Sequence, residues 1–362
     1  MQQSKKILYL ESLRGIAAMS VAIFHFQINS ILNNKFTDNG WIMVDFFFVL
    51  SGFVIALNYQ LIIKSFSDLY FFQIKRFLRL YPLHFFTLII FLVIEFLKNI
   101  AESEFGLIAN NPSFSSNNYE SFLFNLFLLQ NIIQDELTWN GPSWSISAEF
   151  YTYIIFGFIC IFIGRSKFIL ITLLSIFCLS CFVYLMTQGM SHEQGFIRCL
   201  YSFFLGVISW NIQKNFDANI NNFYSYFFLV LSFVLIINIP NNQSILGPII
   251  PIIFCFFIFF LTLTDDDNYL KKFLNNKFLI YIGTISYGIY MIHSIIWWIF
   301  NQIIRFTLPN SVKIVDGVSK VVIDDFLLSN LIMIIGLSFI LLISHLSYQF
   351  IEAPINNFRR RL

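Results

Sequence analysis

This sequence of 362 residues contains few charged residues. Only 12% of its residues are Asp, Glu, Lys or Arg, about half the share found in an ordinary soluble domain. Hydrophobic residues make up 57% of the chain, and 48 of its residues are phenylalanine. A chain with so few charged side chains could not cover the surface of two or three water-soluble domains. The composition therefore predicts a membrane protein built from spans and short loops.

Cysteine is also scarce, and the five cysteines are not arranged as metal ligands. All of them lie in apolar segments, and no two pairs have the spacing of a zinc site. A free cysteine in such a segment is typically a small buried packing residue, so we predict no metal and no disulfide framework. The five are Cys160, Cys178, Cys181, Cys199 and Cys255.

The N-terminus has no recognisable cleavage site. The stretch "MQQSKKILYL" begins with positive charge, but the apolar run continues past Arg14 without the small residues that a signal peptidase needs. The first apolar segment is therefore expected to stay in the protein as a span.

A span needs about 20 mostly apolar residues, and ten apolar segments are candidates. We therefore predict an all-α polytopic membrane protein with about ten transmembrane helices, forming one domain over residues 1–362. The third segment is short, and the sixth and seventh are interrupted by polar residues. The ten segments are 8–31, 41–62, 82–98, 145–164, 168–186, 195–212, 223–239, 247–263, 279–301 and 327–348.

The basic residues predict which side each loop faces. When the N-terminus is placed in the cytoplasm and the spans alternate, most of the 22 Lys and Arg residues fall on the cytoplasmic side. This agrees with the positive-inside rule. It predicts that both termini are cytoplasmic, and it favours an even number of spans.

The first span carries both an arginine and a histidine, in the stretch "SLRGIAAMSVAIFHF". In a helix, the eleven positions from Arg14 to His25 amount to three turns plus about 20°, so both side chains share one face. They are about 16 Å apart along the axis. Arg14 alone could be a snorkelling anchor, and His25 alone could form an interhelical hydrogen bond. Their common face favours a polar track, with His25 suited to proton transfer.

Ionisable residues inside spans are costly and usually mark a functional site or a buried pair. Asp45 lies near one end of the second span, and the small pair Ser51 and Gly52 lies mid-span, where it could permit close helix packing. Glu149, in "WSISAEFY", needs a partner in such a position, and a histidine is one candidate. Such a pair would fix the tautomer of the imidazole and raise its basicity.

Two further polar groups complete the set. Arg76 and Arg79, in "QIKRFLRLYP", are three residues apart and are predicted to face one way on a short helix that ends before Pro82. They could follow the positive-inside rule, or they could bind the phosphates of a donor, because arginine binds phosphate through paired hydrogen bonds. In the ninth span, Ser286, Tyr290 and His293 are spaced to form one polar stripe.

Together these stretches resemble the integral-membrane acyltransferase-3 family, which includes bacterial O-acetyltransferases of O-antigen, capsule and exopolysaccharide. The match covers nearly the whole chain, in order and with compatible spacing. No single piece is specific, but the ordered set is. The matching pieces are Arg14 and His25 in an Arg-x10-His pattern, "VDFFFVLSGFVI", "RFLR" followed by "LYP", "WSISAEFY", "RCLYSFFLGV", "ISYGIYMIH" and "YQFIEAPINNF".

The resemblance implies a multi-pass protein of the bacterial cytoplasmic membrane that moves an acyl group from cytoplasmic acetyl-CoA to a hydroxyl. The acceptor would be a surface glycan or a lipid-linked glycan. Membrane lipid would surround the protein, and neither nucleic acid nor metal would take part. Some relatives carry a fused hydrolase-like domain. This chain ends directly after its last span and is expected to lack one.

From the resemblance we expect His25, Arg14 and Glu149 to be catalytic, with His25 acting as a general base or as an acyl carrier. Acetyl-CoA would be bound by Arg76, Arg79 and Arg14. The remaining candidates would line the acceptor pocket: Asp45, Ser51, Trp144, Ser145, Ser286, Tyr287, Tyr290 and His293.

Several alternatives stay open at this point. Ten spans with charges inside the membrane would also suit a transporter, a glycan polymerase or a flippase of glycan precursors, although no internal repeat of the kind that many transporters show is evident. Within the family, the donor could be succinyl-CoA, and the acceptor could be a lipid, peptidoglycan or an antibiotic.

Overall fold

The chain is almost entirely helical in the computed structural model, which describes residues 7–107, 109–164, 166–216, 220–239, 246–315 and 318–359. Short 3-10 turns at Gly40–Ile42, Gly141–Ser143 and Pro309–Ser311 and a π-helical turn at Tyr348–Glu352 join some of the α-helices. The α-helices are α1 (Leu8–Phe24), α2 (Lys35–Asp38), α3 (Met43–Tyr59), α4 (Phe66–Phe105), α5 (Tyr119–Leu126), α6 (Trp144–Phe162), α7 (Lys167–Gln188), α8 (Gly195–Gln213), α9 (Asn222–Asn238), α10 (Ile249–Leu263), α11 (Tyr269–Leu274), α12 (Lys277–Thr284), α13 (Ser286–Thr307), α14 (Phe326–Ser347) and α15 (Ala353–Arg359).

One β-hairpin accompanies the helices in the described part of the chain. Strand β1 (Val312–Val315) pairs antiparallel with β2 (Val318–Val321), and Val312 faces Val321 in the register. The hairpin lies between α13 and α14, outside the apolar segments. The prediction of an all-α membrane architecture therefore holds, apart from this small addition.

Six of the described helices are long and apolar enough to cross a membrane, and a seventh candidate is the pair α12 and α13, which is bent by 66° at its junction. Three other predicted spans do form helices, but α1 and α9 have 17 residues and α10 has 15, fewer than the roughly 20 that a span needs. The structure therefore confirms a multi-span helical protein. The number ten and the side of the termini remain predictions.

The prediction of a short helix ending before Pro82 was wrong. Helix α4 runs for 40 residues from Phe66 to Phe105 with Pro82 inside it, so the predicted span 82–98 is an internal stretch of a longer helix. A proline removes one backbone hydrogen bond and usually bends or breaks a helix. In membrane proteins such a proline is tolerated where neighbouring helices satisfy the freed backbone groups.

Glycines allow the central helices to pack backbone against backbone. A Cβ added to Gly52 of α3 would lie 1.9 Å from the carbonyl oxygen of Phe203 in α8, and one added to Gly206 of α8 would lie 2.0 Å from that of Val49. Only glycine permits such an approach, as in other membrane helix pairs. The predicted role of the small pair at Ser51 and Gly52 in close packing is thus confirmed for Gly52. The cysteines are free and buried or half-buried, as packing residues are.

Candidate active site

Helix α1 ends at Phe24, and His25 is its C-cap residue, so the first predicted span, 8–31, is too long at its C-terminal end. The side chain of His25 is exposed, and its Nδ1 lies 2.9 Å from the carbonyl oxygen of Val21. Arg14 lies inside the helix, eleven positions before His25, and pairs with Glu11 at 3.7 Å. The helix therefore separates the two predicted catalytic residues, as the sequence indicated, but His25 lies at the helix end and not within a continuous span.

His25 meets a second histidine from a helix that is remote in the sequence. The Nδ1 atom of His25 and the Nε2 atom of His293 in α13 are 3.2 Å apart, and the two ring centroids are 4.9 Å apart. His293 is fully buried, and its own Nδ1 lies 3.1 Å from the carbonyl oxygen of Ile289. The sequence placed His293 on a polar stripe but did not identify it as the neighbour of His25.

The tautomers of the two neutral histidine rings follow from the backbone carbonyl oxygens that lie beside them. A carbonyl oxygen can only accept a hydrogen bond, so the Nδ1 atom beside each carbonyl carries the proton. His293 Nε2 then has a lone pair that can accept from His25 Nδ1–H. By the same argument the lone pair of His25 is on Nε2. This is the atom that could remove a proton from a substrate or attack an acyl carbon.

The loop before α6 packs against α13 around His293. The hydroxyl of Tyr290 donates to the carbonyl oxygen of Pro142 at 2.8 Å and lies 2.7 Å from the hydroxyl of Ser145. The side-chain amide of Asn140 donates to the carbonyl oxygen of Met291 at 2.9 Å. The ring of Tyr290 lies 5.9 Å from that of His293, and Ser145 is joined to it through the Tyr290 hydroxyl.

The two other predicted pocket residues on α13 differ in their hydrogen bonding. The hydroxyl of Tyr287 donates to the carbonyl oxygen of Leu80 in α4. Ser286 is buried, and its hydroxyl has no hydrogen-bond partner among the described residues. Tyr287 is therefore already engaged in the fold, whereas Ser286 retains free hydrogen-bonding capacity.

Glu149 is joined to a tyrosine and not to His25. Its Oε1 accepts a hydrogen bond of 2.6 Å from the hydroxyl of Tyr153, one turn further along α6, and that hydroxyl lies 3.0 Å from Ser51 of α3. The guanidinium of Arg76 lies 5.9 Å from the centre of the Tyr153 ring. The candidate pairing of Glu149 with a histidine is thus replaced by a Glu149–Tyr153–Ser51 chain inside the bundle. Sequence reasoning missed Tyr153, although its spacing of four residues from Glu149 was a usable signal.

Arg76 and Arg79 contact different neighbours. The guanidinium of Arg76 donates to the hydroxyl of Tyr59 at 3.0 Å and lies over that ring, and its Nε is buried without a partner among the described residues. Arg79 makes a 2.8 Å ion pair with buried Glu352 and lies over the ring of Tyr287. Arg76 thus keeps free hydrogen-bonding capacity, whereas Arg79 already holds a carboxylate. Glu352, in "YQFIE", was not recognised as a site residue from the sequence.

Asp45 lies in a buried ion pair with Arg198 of α8. Its Oδ2 is 2.5 Å from the Arg198 guanidinium, and the side chains of Asp45 and Arg198 are 0% and 3% exposed. The guanidinium also donates to the carbonyl oxygens of Met190 and Ser191. The rings of Trp41 and Trp144 lie 5.2 and 5.3 Å from it. Asp45 and Trp144, both predicted to line the acceptor pocket, therefore also hold α3, α6 and α8 together.

The described side chains include no group of three or more His, Cys, Asp or Glu residues suited to a metal ion. Cationic groups that could receive a phosphorylated donor lie instead at the Arg14 end of the bundle, on Arg14, Arg76 and Arg79. The arrangement thus has guanidinium groups at one end and an imidazole lone pair at the other, with the Glu149–Tyr153–Ser51 chain inside the bundle.

Comparison with known proteins gives a consistent picture. The family model described as "Acyltransferase domain" matches residues 7–349. A "Putative acetyltransferase" of Acidianus two-tailed virus is 25% identical over 78% of this chain and 81% of its own length. A "Putative O-acetyltransferase" of Staphylococcus aureus (strain COL) is 24% identical over 97% of this chain and 58% of its own length. The chain thus spans somewhat over half of the staphylococcal relative. No solved structure matches it.

Proposed function

The chain belongs to the membrane acyltransferase family whose domain covers residues 7–349, and from that premise we propose that it transfers acetyl from acetyl-CoA to a hydroxyl of a surface glycan or a lipid-linked glycan. The donor would be bound from the cytoplasm of a bacterium, with the protein in the cytoplasmic membrane and both termini on the cytoplasmic side. The staphylococcal relative, whose name refers to O-acetyl transfer, supports a hydroxyl as the acceptor.

The observation that carries this proposal is the hydrogen-bonded pair of His25 and His293. Because His25 Nδ1–H faces the carbonyl oxygen of Val21 at 2.9 Å and His293 Nε2 at 3.2 Å, its Nε2 keeps the lone pair and can act as a base. A positioned neutral imidazole is the group that most often serves as a general base near neutral pH. When Nε2 takes up a proton, the acceptors around Nδ1–H stabilise the positive charge that develops on the ring.

The transfer would proceed with His25 first as base and then as acid. His25 Nε2 removes the proton of the acceptor hydroxyl while its oxygen attacks the thioester carbon. The tetrahedral intermediate collapses with cleavage of the carbon–sulfur bond. The imidazolium returns the proton to the leaving sulfur, so that the ester and free CoA are the products. In a second version Nε2 itself attacks the thioester, and the acetyl group rests on His25 before it reaches the acceptor.

The donor would bind with its phosphates at the Arg14 end. Arg76 is the best placed ligand, because its Nε has no hydrogen-bond partner among the described residues. Arg79 would have to exchange Glu352 for a phosphate oxygen, and Arg14 would exchange Glu11, its partner at 3.7 Å. The pantetheine arm would then extend toward His25 along α1, over a distance that the rise of a helix puts at about 16 Å.

A labelling experiment tests the function and separates its two versions. Purified protein in proteoliposomes is given acetyl-CoA with a labelled acetyl group, first without an acceptor and then with the lipid-linked glycan fraction of the source organism. We expect label to appear on the glycan only when the protein is present. Label held by the wild type without acceptor, and absent from His25→Ala, would establish the acetyl-histidine. Failure to transfer from any acyl-CoA to any glycan fraction would contradict the proposed function.

Replacing Arg76 should weaken donor binding more than it slows the chemical step. Arg76→Ala removes a charge-assisted hydrogen bond to phosphate, which is worth about 1.5–3 kcal/mol, so the KM for acetyl-CoA should rise by roughly 10- to 150-fold. The measurement is steady-state transfer across a range of acetyl-CoA concentrations. Lys75→Ala, which removes the neighbouring cation on the same helix, serves as the control. A fall in kcat with unchanged KM would mean that Arg76 does not bind the donor and has a structural role instead.

A further inference from the structure

An apolar groove lies between α6 and α7. Both helices pack against α8 and have few direct contacts with each other, so a gap remains between them with α8 behind it. The groove has a volume of about 180 Å³, and every residue of its lining is Ile, Leu or Phe. A protein cavity of roughly 150 Å³ with such a lining stays dry and binds benzene. The groove is therefore large enough, and apolar enough, to take up hydrocarbon.

The lining follows the length of the two helices. Ile155, Ile159 and Ile163 are spaced four residues apart, so they share one face of α6. On α7 the lining runs over two turns and includes Leu173 and Phe177, which are 46% and 38% exposed. The groove is thus elongated and open along one side, toward the surface that α6 and α7 present to lipid as candidate spans.

A pair of aromatic rings marks the deep end of the groove. The rings of Phe177 in α7 and Phe204 in α8 pack edge to face with their centroids 5.8 Å apart. Lys167, the first residue of α7, lies ten positions before Phe177, and Lys214, directly after α8, lies ten positions after Phe204. Ten residues of helix rise about 15 Å, which is half of the roughly 30 Å hydrocarbon core of a bilayer. The distance from the lysines to the rings therefore matches the depth of one leaflet.

The two lysines lie near each other at the shallow end, where α6 and α8 end and α7 begins. Desolvation and the nearby ammonium group of Lys167 lower the pKa of Lys214. In the described part of the chain neither lysine forms an ion pair. Two neighbouring cations without a carboxylate attract an anion, because its charge relieves their mutual repulsion.

We propose that the groove binds an anionic phospholipid, with its phosphate at Lys167 and Lys214 and one acyl chain along α6 and α7 as far as Phe177. A zwitterionic lipid would bring a further cation to the two lysines. The pantetheine arm of CoA does not suit the groove, because the lining side chains offer its amides no hydrogen-bond partner. The bound lipid would join α6 to α7, which packs mainly on α8. This site is separate from acyl transfer and does not depend on the proposed function.

Native mass spectrometry of the full chain measures this binding. Protein in detergent is titrated with phosphatidylglycerol or with phosphatidylcholine of the same acyl chains, and we expect phosphatidylglycerol to bind more tightly. The double variant Lys167→Ala with Lys214→Ala should weaken its binding by roughly 5- to 30-fold, because one lysine near an anionic lipid surface contributes about fivefold. The matched control is Lys313→Ala with Lys320→Ala, which removes two lysines that face each other in the β-hairpin.

A second variant tests the acyl chain separately from the headgroup. Leu173 lines the groove and is partly exposed, so the ring introduced by Leu173→Trp can occupy the groove without displacing the core. We expect this variant to bind both lipids more weakly than the wild type. Leu179→Trp is the matched control, because Leu179 is 61% exposed on the same helix and lies outside the lining. The unfolding temperature of each variant is recorded without added lipid, to establish that it is folded.

Three outcomes would overturn the proposal. Equal affinity for the two phospholipids would mean that the lysines do not select the headgroup. Wild-type affinity in folded Leu173→Trp would mean that the acyl chain lies elsewhere. Binding of glycerol phosphate as tight as that of phosphatidylglycerol would make the lysine pair a site for a free phosphate, with no part for the groove.

Discussion

Replacing His25 with alanine is expected to reduce acetyl transfer by about 10²- to 10⁴-fold, the range that a general base contributes. The variant loses the imidazole whose Nε2 is left as a base by the hydrogen bonds around Nδ1. The fold should persist, because His25 is an exposed C-cap residue and not part of the packed core. The measurement is the rate of label transfer to glycan, with the unfolding temperature recorded in parallel.

Two variants at His293 serve as matched controls for this mechanism. In His293→Gln the side-chain oxygen takes the position of Nε2 and can still accept from His25 Nδ1–H. His293→Phe keeps the ring but has no acceptor there. We expect the glutamine variant to retain most of the wild-type kcat and the phenylalanine variant to lose more, with the KM for acetyl-CoA unchanged in both. Full activity in His25→Ala would contradict the assigned base. Equal rates for the two His293 variants would contradict only the role of His293.

Breaking the ion pair of Asp45 and Arg198 is expected to have the largest effect on stability. Asp45→Ala leaves a guanidinium that is 3% exposed without its carboxylate, and removal of one partner of a buried pair typically costs about 3–5 kcal/mol in the free energy of unfolding. The remaining partners of Arg198 are the carbonyl oxygens of Met190 and Ser191, which accept hydrogen bonds but do not balance the charge. Unfolding of the purified protein in mixed micelles measures the change.

The double variant Asp45→Leu with Arg198→Met separates a structural role from a catalytic one. Replacing both charges by apolar groups is often neutral or stabilising, so the double variant should recover much of the stability lost by Asp45→Ala. The exposed pair of Asp267 and Lys272 provides the control, because exposed ion pairs contribute little. If Asp45→Ala is stable but cannot transfer acetyl, Asp45 acts in the acceptor pocket, as the sequence predicted, and not mainly in the fold.

The order of apolar and polar residues in the sequence was sufficient to predict a membrane protein, its helical architecture and its family. The backbone of a span in lipid must satisfy its own hydrogen bonds, so a long apolar segment predicts a helix. The same pattern was sufficient to place Arg14 inside α1 and His25 three turns further along, because helical period and rise are local properties. It failed at Pro82, since a proline is a strong stop signal in water but is tolerated within a packed membrane helix.

The partners of the polar residues were decided only by the tertiary structure. His25 meets His293 across 268 positions of sequence, and Arg79 meets Glu352 across 273, whereas Glu149 binds Tyr153 of its own helix instead of a histidine. Which side chains face each other depends on how each helix is rotated and how closely it approaches its neighbour. Contacts such as Gly52 against Phe203 set that approach. The sequence by itself therefore determined which chemical groups lie in the membrane, and the packing of the helices determined which of them act together.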